Sequence, residues 1–347
     1  MSNPYTLVFG QSPIEKIERN AQLERIVSEF SSDRPSNYLN LITGIRGSGK
    51  TVFLTTIANV FEAKDDWIVV NLNSQRDLLN SLAAKLTSNR KTSVWIKEAK
   101  INLSAFGLGM EIQGEPQIFD IEVALNKILK EIKKRKQRVL VTIDEVSNSK
   151  EMRIFASAYQ LFLREDLPVF LLLSGLYKNI DSLRNAEGMT FLERAPRTVL
   201  SPLLINAMAE NYVKTLKLPM NEAMQLAKET RGYSFAFQTI GYFAWGNASD
   251  MRLALKKAKE YLYEFSYQKI WTELSPKDRQ VVIAMGELNT NEVMQIREKL
   301  NYSSNQFNPY RNRLLKAGVV MSDQSGVLEF ALPWFGEFAI GKFERIL

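Results

Sequence analysis

Over the first two hundred positions, short unbroken apolar runs alternate with stretches in which apolar residues recur every three or four positions. The runs Tyr38–Thr43, Trp67–Asn71, Arg138–Asp144, Val169–Ser174 and Thr198–Leu200 predict strands. Continuous apolarity over so short a length suits strands buried on both faces. The periodic stretches Asn20–Phe30, Lys50–Phe61, Gln75–Ser88, Ile118–Lys136 and Lys150–Arg164 predict helices. Their alternation with the strands predicts an α/β core, a parallel five-stranded sheet between helices. Ala99–Glu115 departs from this order, alternating apolar and polar residues around Gly107 and Gly109. It predicts a β-hairpin, either a contacting arm or an extra pair of edge strands.

From Ser201 onward the strand signal fades. Leu204–Leu216, Met220–Thr230, Phe235–Trp245 and Met251–Phe265 predict helices, with Tyr233, Phe235, Phe237, Tyr242, Phe243 and Trp245 as their core. Ser275 as N-cap and Pro276 at the first helical position then open a helix that runs to about Glu287. Glu292–Leu300 and Ser304–Ala317 follow as helices, and Gly318 closes the last of them. Val319–Ser322 and Val327–Leu332 flank the turn-forming Asp323-Gln324-Ser325-Gly326. Three helices and a hairpin give the order of a winged helix-turn-helix. The reading divides the chain into an α/β core over 1–200, a helical lid domain over 201–265 and a winged helix-turn-helix domain over 266–347.

The first predicted strand leads into Gly44-Ile45-Arg46-Gly47-Ser48-Gly49-Lys50-Thr51, a complete Gly-x-x-x-x-Gly-Lys-Thr phosphate loop, and Val52 continues into helix-compatible sequence. The alternative is a glycine-rich turn with a chance lysine, which the strand–loop–helix context disfavours. Glycines turn the backbone so that its N–H groups meet an anion, and a helix N-terminus adds partial positive charge. Lys50 is expected at the β- and γ-phosphates and the Thr51 hydroxyl on Mg²⁺. The third strand ends in Asp144-Glu145. Ligands of open parallel sheets gather at carboxyl ends, so Asp144 is expected beside Mg²⁺ and Glu145 as the general base on the attacking water. The alternative is a pair of solvated acids. Ser174, ending the next strand, is a candidate γ-phosphate sensor or a simple turn residue.

The chain has 347 residues, no cysteine and no histidine. Disulfides, thiolate metal sites and histidine-dependent triads are therefore excluded. Chemistry is left to carboxylates, hydroxyls, lysine, arginine and a hard cation. No apolar run approaches the roughly 18 residues of a membrane span, and a cytoplasmic protein without a membrane partner is expected. The net charge of +7 is spread as +4, +2 and +1 over the three predicted domains, so charge gives nucleic-acid binding only mild support. Lys133-Lys134-Arg135-Lys136 has the composition of a nuclear-localisation signal, but cations at a helix C-terminus account for it better.

These pieces together resemble a P-loop ATPase of the AAA+/STAND type, in the prokaryotic group related to origin-recognition initiators. The resemblance rests on Gly44–Thr51 as Walker A, Val139–Glu145 as Walker B, Ser174 as sensor 1 and the C-terminal winged helix. It implies ATP as ligand, bound by Gly44, Arg46, Gly47, Ser48, Gly49, Lys50, Thr51 and Val52. No Asn/Thr-Lys-x-Asp guanine signature follows a strand. Phe9–Asn20 is similar to the family's N-terminal segment, which implies adenine contacts for Ile14 and Ile17; plain apolar packing is the alternative. Arg194 and Arg197 lie where the family carries an arginine finger, with surface ion pairing, to Glu193 among others, as the alternative. Arg231-Gly232-Tyr233-Ser234 matches the position of the STAND Gly-x-Pro or the AAA+ sensor 2, but Ser234 replaces the proline and Arg231 precedes the glycine. In the last predicted helix, Asn305, Asn308, Arg311, Asn312 and Arg313 are candidate contacts to double-stranded DNA. A protein-binding winged helix in a slow, nucleotide-gated scaffold, working through a protein partner or self-assembly, is the second reading.

Overall fold

Strands β1 (Leu39–Thr43), β2 (Trp67–Asn73), β3 (Arg138–Asp144), β4 (Val169–Gly175) and β5 (Arg197–Val199) pair in parallel in the order β2-β3-β4-β1-β5. This is a computed structural model of the chain, and it describes residues 2–8, 10, 13–108, 117–246 and 250–343. Two compact units form. The sheet unit comprises Asn20–Thr43 and Lys50–Val199; the other comprises Met1–Arg19, Gly44–Gly49 and Leu200–Leu347.

The sheet unit also holds α1 (Asn20–Ser31), α2 (Lys50–Glu62), α3 (Leu78–Ser88), α4 (Arg90–Glu98), α5 (Ile121–Lys134), α6 (Lys150–Arg164) and α7 (Tyr177–Arg184). Alternate strand residues sort onto opposite faces. Val139, Val141, Ile143, Leu171 and Leu173 join the apolar faces of α3, α5 and α6 in one cluster. On the other face Phe170 meets Phe30 of α1 and Trp67, and Phe61 of α2 packs on both Phe30 and Trp67. Burial on both faces explains the near-continuous apolar runs of β3 and β4. The basic run caps α5: Lys133 pairs with Asp166, Lys134 with Glu131, and Arg135 with Glu98 and Glu131.

The described part of the predicted hairpin takes another form. Asn102 Oδ1 accepts from the Ser104 N–H and hydroxyl, at 3.2 and 2.7 Å, and bends the chain into a single 3-10 turn over Ser104–Phe106. Gly107, at φ 67°, closes it. Ile101 and Leu103 are buried in the core instead of lying on an edge. Residues 109–116 lie outside the described residues.

The other unit contains α8 (Ile205–Leu216), α9 (Met220–Glu229), α10 (Ser234–Ala244), α11 (Met251–Leu262), α12 (Gln268–Glu273), α13 (Pro276–Leu288), α14 (Val293–Leu300), α15 (Ser304–Ala317), the antiparallel β6 (Val320–Met321) and β7 (Glu329–Phe330), and α16 (Phe335–Phe343). Met251–Phe265 is not one helix: a π-helical turn over Tyr263–Tyr267 separates α11 from α12. Ser275 and Asp278 form a capping box on α13, and Gly318 ends α15 at φ 75°.

The N-terminal segment belongs to this helical unit, not to the sheet. Tyr5 is buried, edge-on to Phe237 at 5.6 Å, and its hydroxyl donates to Asn211 Oδ1 at 2.7 Å. Its ring presses on α10 so closely that a Cβ on Gly241 would lie 2.6 Å from it. Replacing Tyr5 with Ala removes a fully packed aromatic and is expected to cost about 3–5 kcal/mol. A lower urea midpoint is the expected reading; an unchanged one contradicts the anchoring role.

Candidate functional site

The sheet unit brings the second half of the phosphate motif to the acidic strand end. Thr43 of β1 lies opposite Gly175 of β4, and Leu173 of β4 opposite Ile143 of β3, so these three carboxyl ends are adjacent. Lys50 and Thr51 open α2. The Thr51 hydroxyl donates to Asp144 Oδ2 at 2.5 Å, and the Glu145 N–H donates to Asp144 Oδ1 at 2.9 Å. Glu145 is exposed and stands at φ 52°, a left-handed conformation that costs a residue with a Cβ about 1–3 kcal/mol. Ser174 is fully buried and its carbonyl accepts from the Val146 N–H at 2.9 Å.

Two buried hydroxyl oxygens here, Thr43 Oγ1 and Ser174 Oγ, have no hydrogen-bond partner among the described residues. Buried polar atoms without partners are uncommon, and at a strand end they suit a polar ligand. No three His, Cys, Asp or Glu side chains gather to hold a metal by themselves among the described residues. One hydroxyl and one carboxylate fit Mg²⁺, which takes most of its oxygens from water and phosphate.

The glycine half of the motif, Gly44–Gly49, is built into the helical unit. Tyr233 Oη donates to the Arg46 carbonyl at 2.8 Å, the Phe235 N–H to the Gly47 carbonyl at 3.1 Å, and Ser234 Oγ to the Ser48 carbonyl at 3.1 Å. The first turn of α10 has no side-chain cap, and the Gly47 carbonyl takes one of its free N–H groups. Gly47 has φ 77°, and a Cβ there would lie 2.2 Å from Tyr233 Oη. Arg46 pairs with Glu273 of α12 at 3.1 Å, and Ile45 packs into the cluster around Trp271, Phe307 and Leu314. Arg19 Nη2 donates to the carbonyls of Ser48 and Ser201 at 3.2 and 2.9 Å. Burial pulls its guanidinium down to about 10, so it remains charged at neutral pH. Ser48 Oγ and Arg19 Nε are buried without partners among the described residues, and both suit an anionic ligand at the loop. Arg19, Tyr233 and Ser234 lie in stretches the sequence had singled out, though not for contacts to the loop, and Glu273 had no motif around it.

The remaining candidates fall in several places. Ile14 is exposed, whereas Ile17 packs against the cluster around Tyr5. Arg197 stacks on Tyr177 at 4.7 Å and pairs with Asp181 at 3.7 Å. Arg194 is exposed and pairs with no carboxylate, Glu193 included, among the described residues. Arg231 donates to the Phe330 carbonyl of β7 at 2.7 Å. On α15, Asn305, Asn308 and Asn312 share an exposed face. Arg311 reaches Ser322 Oγ at 3.0 Å, and Arg313 grips the buried Asp278 carboxylate at 2.8 Å while stacking on Tyr310. Both arginines thus have structural partners.

The five-stranded parallel sheet among helices, with a phosphate loop leaving β1 and an acidic pair ending β3, has the fold of a P-loop ATPase core. Residues 17–181 match a family model described as an ATPase domain predominantly from Archaea, and residues 264–339 match a domain of unknown function, DUF8462. Among solved structures, the Walker-type ATPase PABY2304 of Pyrococcus abyssi is similar at 15% identity and a TM-score of 0.63, covering 93% of this chain and 96% of that one. The ORC2 protein of Aeropyrum pernix, in ADPNP–ADP complexes, is similar at 15% identity and a TM-score of 0.59, covering 98% of each chain. No functionally curated protein matches the chain. Among the described residues no helix is long and apolar enough to cross a membrane.

Two outcomes follow from the geometry. Gly47→Ala is expected to cost at least about 2 kcal/mol, from left-handed strain and the clash with Tyr233, read by chemical denaturation. Wild-type stability would contradict the close approach. Arg313→Ala is expected to cost about 1.5–3 kcal/mol by leaving Asp278 without its cation, whether or not DNA is present. An unchanged midpoint would release Arg313 for a surface role.

Proposed function

We propose that the protein binds ATP and hydrolyses it with Mg²⁺, and that its nucleotide state is coupled to a winged helix-turn-helix formed by α13–α15, β6 and β7. The observation that carries this reading is the pairing of Thr51 with Asp144 at 2.5 Å, beside an exposed Glu145 in strained backbone. The loop from Gly44 to Thr51, with Val52, binds the phosphates through backbone N–H groups, and Lys50 neutralises the β- and γ-oxygens. Thr51 and Asp144 hold Mg²⁺, which supplies charge neutralisation of the phosphates. Glu145 accepts the proton of the attacking water, and Ser174 orients that water or senses the γ-phosphate. ADP and phosphate are the products. The ORC2 protein of Aeropyrum pernix carries ADPNP and ADP on a similar fold, which supports adenine over guanine.

Division of labour follows the three domains over 1–200, 201–265 and 266–347. The exposed Asn305, Asn308 and Asn312 face double-stranded DNA. A second reading, a STAND-like scaffold with slow turnover and a protein-binding winged helix, draws support from the internal partners of Arg311 and Arg313. Exposed Arg194 suits a finger acting on a neighbouring copy better than Arg197, which is stacked and paired.

Glu145→Gln should lower phosphate release by a factor of about 100 or more while ATP remains bound. Undiminished release removes Glu145 from the mechanism. Duplex DNA titrated at about 50 and 200 mM salt should bind more weakly at the higher salt. The Asn305→Ala/Asn308→Ala/Asn312→Ala variant should lose sequence preference, and DNA affinity unchanged by salt and by these substitutions favours the scaffold.

A further inference from the structure

The phosphate loop is oriented from behind. Arg46, Gly47 and Ser48 donate no proton through their carbonyls, so each carbonyl can only accept, and each is taken by one of the consecutive residues Tyr233, Phe235 and Ser234. A peptide unit is planar, so fixing a carbonyl also fixes the N–H on the next residue. The Arg46 carbonyl sets the Gly47 N–H, and the Ser48 carbonyl sets the Gly49 N–H. Those are the kind of groups a glycine-rich loop turns toward phosphate.

Tyr233 Oη also lies 2.9 Å from Ser266 Oγ, inside the π-helical turn between α11 and α12. A phenol has one proton, and the Arg46 carbonyl receives it, so Ser266 donates to Tyr233. The chain therefore has a direction, from Ser266 Oγ to Tyr233 Oη to Arg46 O. The two hydroxyl groups are shielded, Tyr233 being 4% and Ser266 1% exposed, while Arg46 is half-buried. Burial pushes the Tyr233 phenol up from its ordinary range, which keeps it protonated and a donor. The Arg46 side chain runs to the same helices, pairing with Glu273 at the end of α12. π turns cost backbone stability and commonly mark functional positions.

We propose that Tyr233 is a positioning residue for the phosphate loop, held as a donor by Ser266, so that loop amides and the α11–α12 junction respond to nucleotide together. This rests on the ATP reading above and names the route by which the loop is felt in the C-terminal helices. ATP pulling on the Gly47 and Gly49 amides shifts the Arg46 carbonyl, and the hydrogen-bond chain carries that shift to the π turn. In the reverse direction, a change at the π turn alters the loop's affinity by the same factor.

The test is a double-mutant cycle on the full-length protein with Tyr233→Phe and Ser266→Ala, read as the Kd for ATP with Mg²⁺. Tyr233→Phe keeps the ring and removes the hydroxyl, and is expected to weaken ATP about tenfold. Ser266→Ala touches no loop atom, yet should weaken ATP about threefold. The double variant should be no weaker than Tyr233→Phe alone, because both act through one chain. Hydrogen exchange over Tyr263–Tyr267 should slow when ATP is added to the parent and should not respond in Tyr233→Phe. If Tyr233→Phe fails to fold, Ser266→Ala and the exchange of the parent carry the test alone. Parent-like affinity in both single variants, or additive effects in the double, overturns the relay while leaving the ATP reading intact. A parent that binds no ATP overturns the ATP reading itself.

Discussion

Three successive carbonyls of one six-residue loop, all accepting from donors at the start of α10, form the constraint on which the rest of this structure depends. A phosphate loop needs its N–H groups pointed at the ligand, and its carbonyls must therefore find partners elsewhere. Here Tyr233, Ser234 and Phe235 supply those partners. The loop in turn caps a helix that has no side-chain cap of its own. Gly47 is what makes the approach possible, since any side chain would occupy the place of the Tyr233 hydroxyl. Loop and helix thus stabilise each other, and neither geometry stands alone.

The same loop continues directly into Lys50 and Thr51 of the sheet unit, where Thr51 meets Asp144. A single motif of eight residues therefore has two sets of obligations. Its glycine half is oriented by helical residues; its Lys-Thr half opens α2 beside the acid that ends β3. Glu145 adds a third feature, a left-handed backbone at an exposed acid, where a glycine would be less strained. Such strain suits the role proposed for Glu145 as the base.

Much of this was legible in the residues. Largely apolar strands and a complete phosphate motif pointed to the sheet, and Asp144-Glu145 at a strand end pointed to the acidic pair. What stayed hidden had no local signature. The 3-10 turn at Ser104–Phe106 depends on one Asn102 side chain accepting twice, which outweighs the alternating pattern around it. The π turn interrupts a helix whose apolar spacing is continuous, and its Ser266 hydroxyl lies 2.9 Å from Tyr233 Oη, 33 residues away. Arg19, Ser234 and Glu273 reach the loop across 29, 186 and 227 positions, a separation that no local pattern encodes. Arg311 and Arg313 looked like free cations in the sequence, yet Ser322 and Asp278 engage them. Long-range polar partners are the part of a fold that periodicity does not encode.

Every function proposed for this protein depends on the phosphate loop binding a nucleotide through groups whose geometry the protein sets in advance. The most direct measurement is the binding of a fluorescent ATP analogue, with Mg²⁺, to the parent and to Lys50→Ala. Saturable binding to the parent, displaced by unlabelled ATP, is expected, with a loss of at least about tenfold in affinity when the lysine charge on the phosphates is removed. Equal binding by the two proteins, or displacement by adenosine as readily as by ATP, would contradict it.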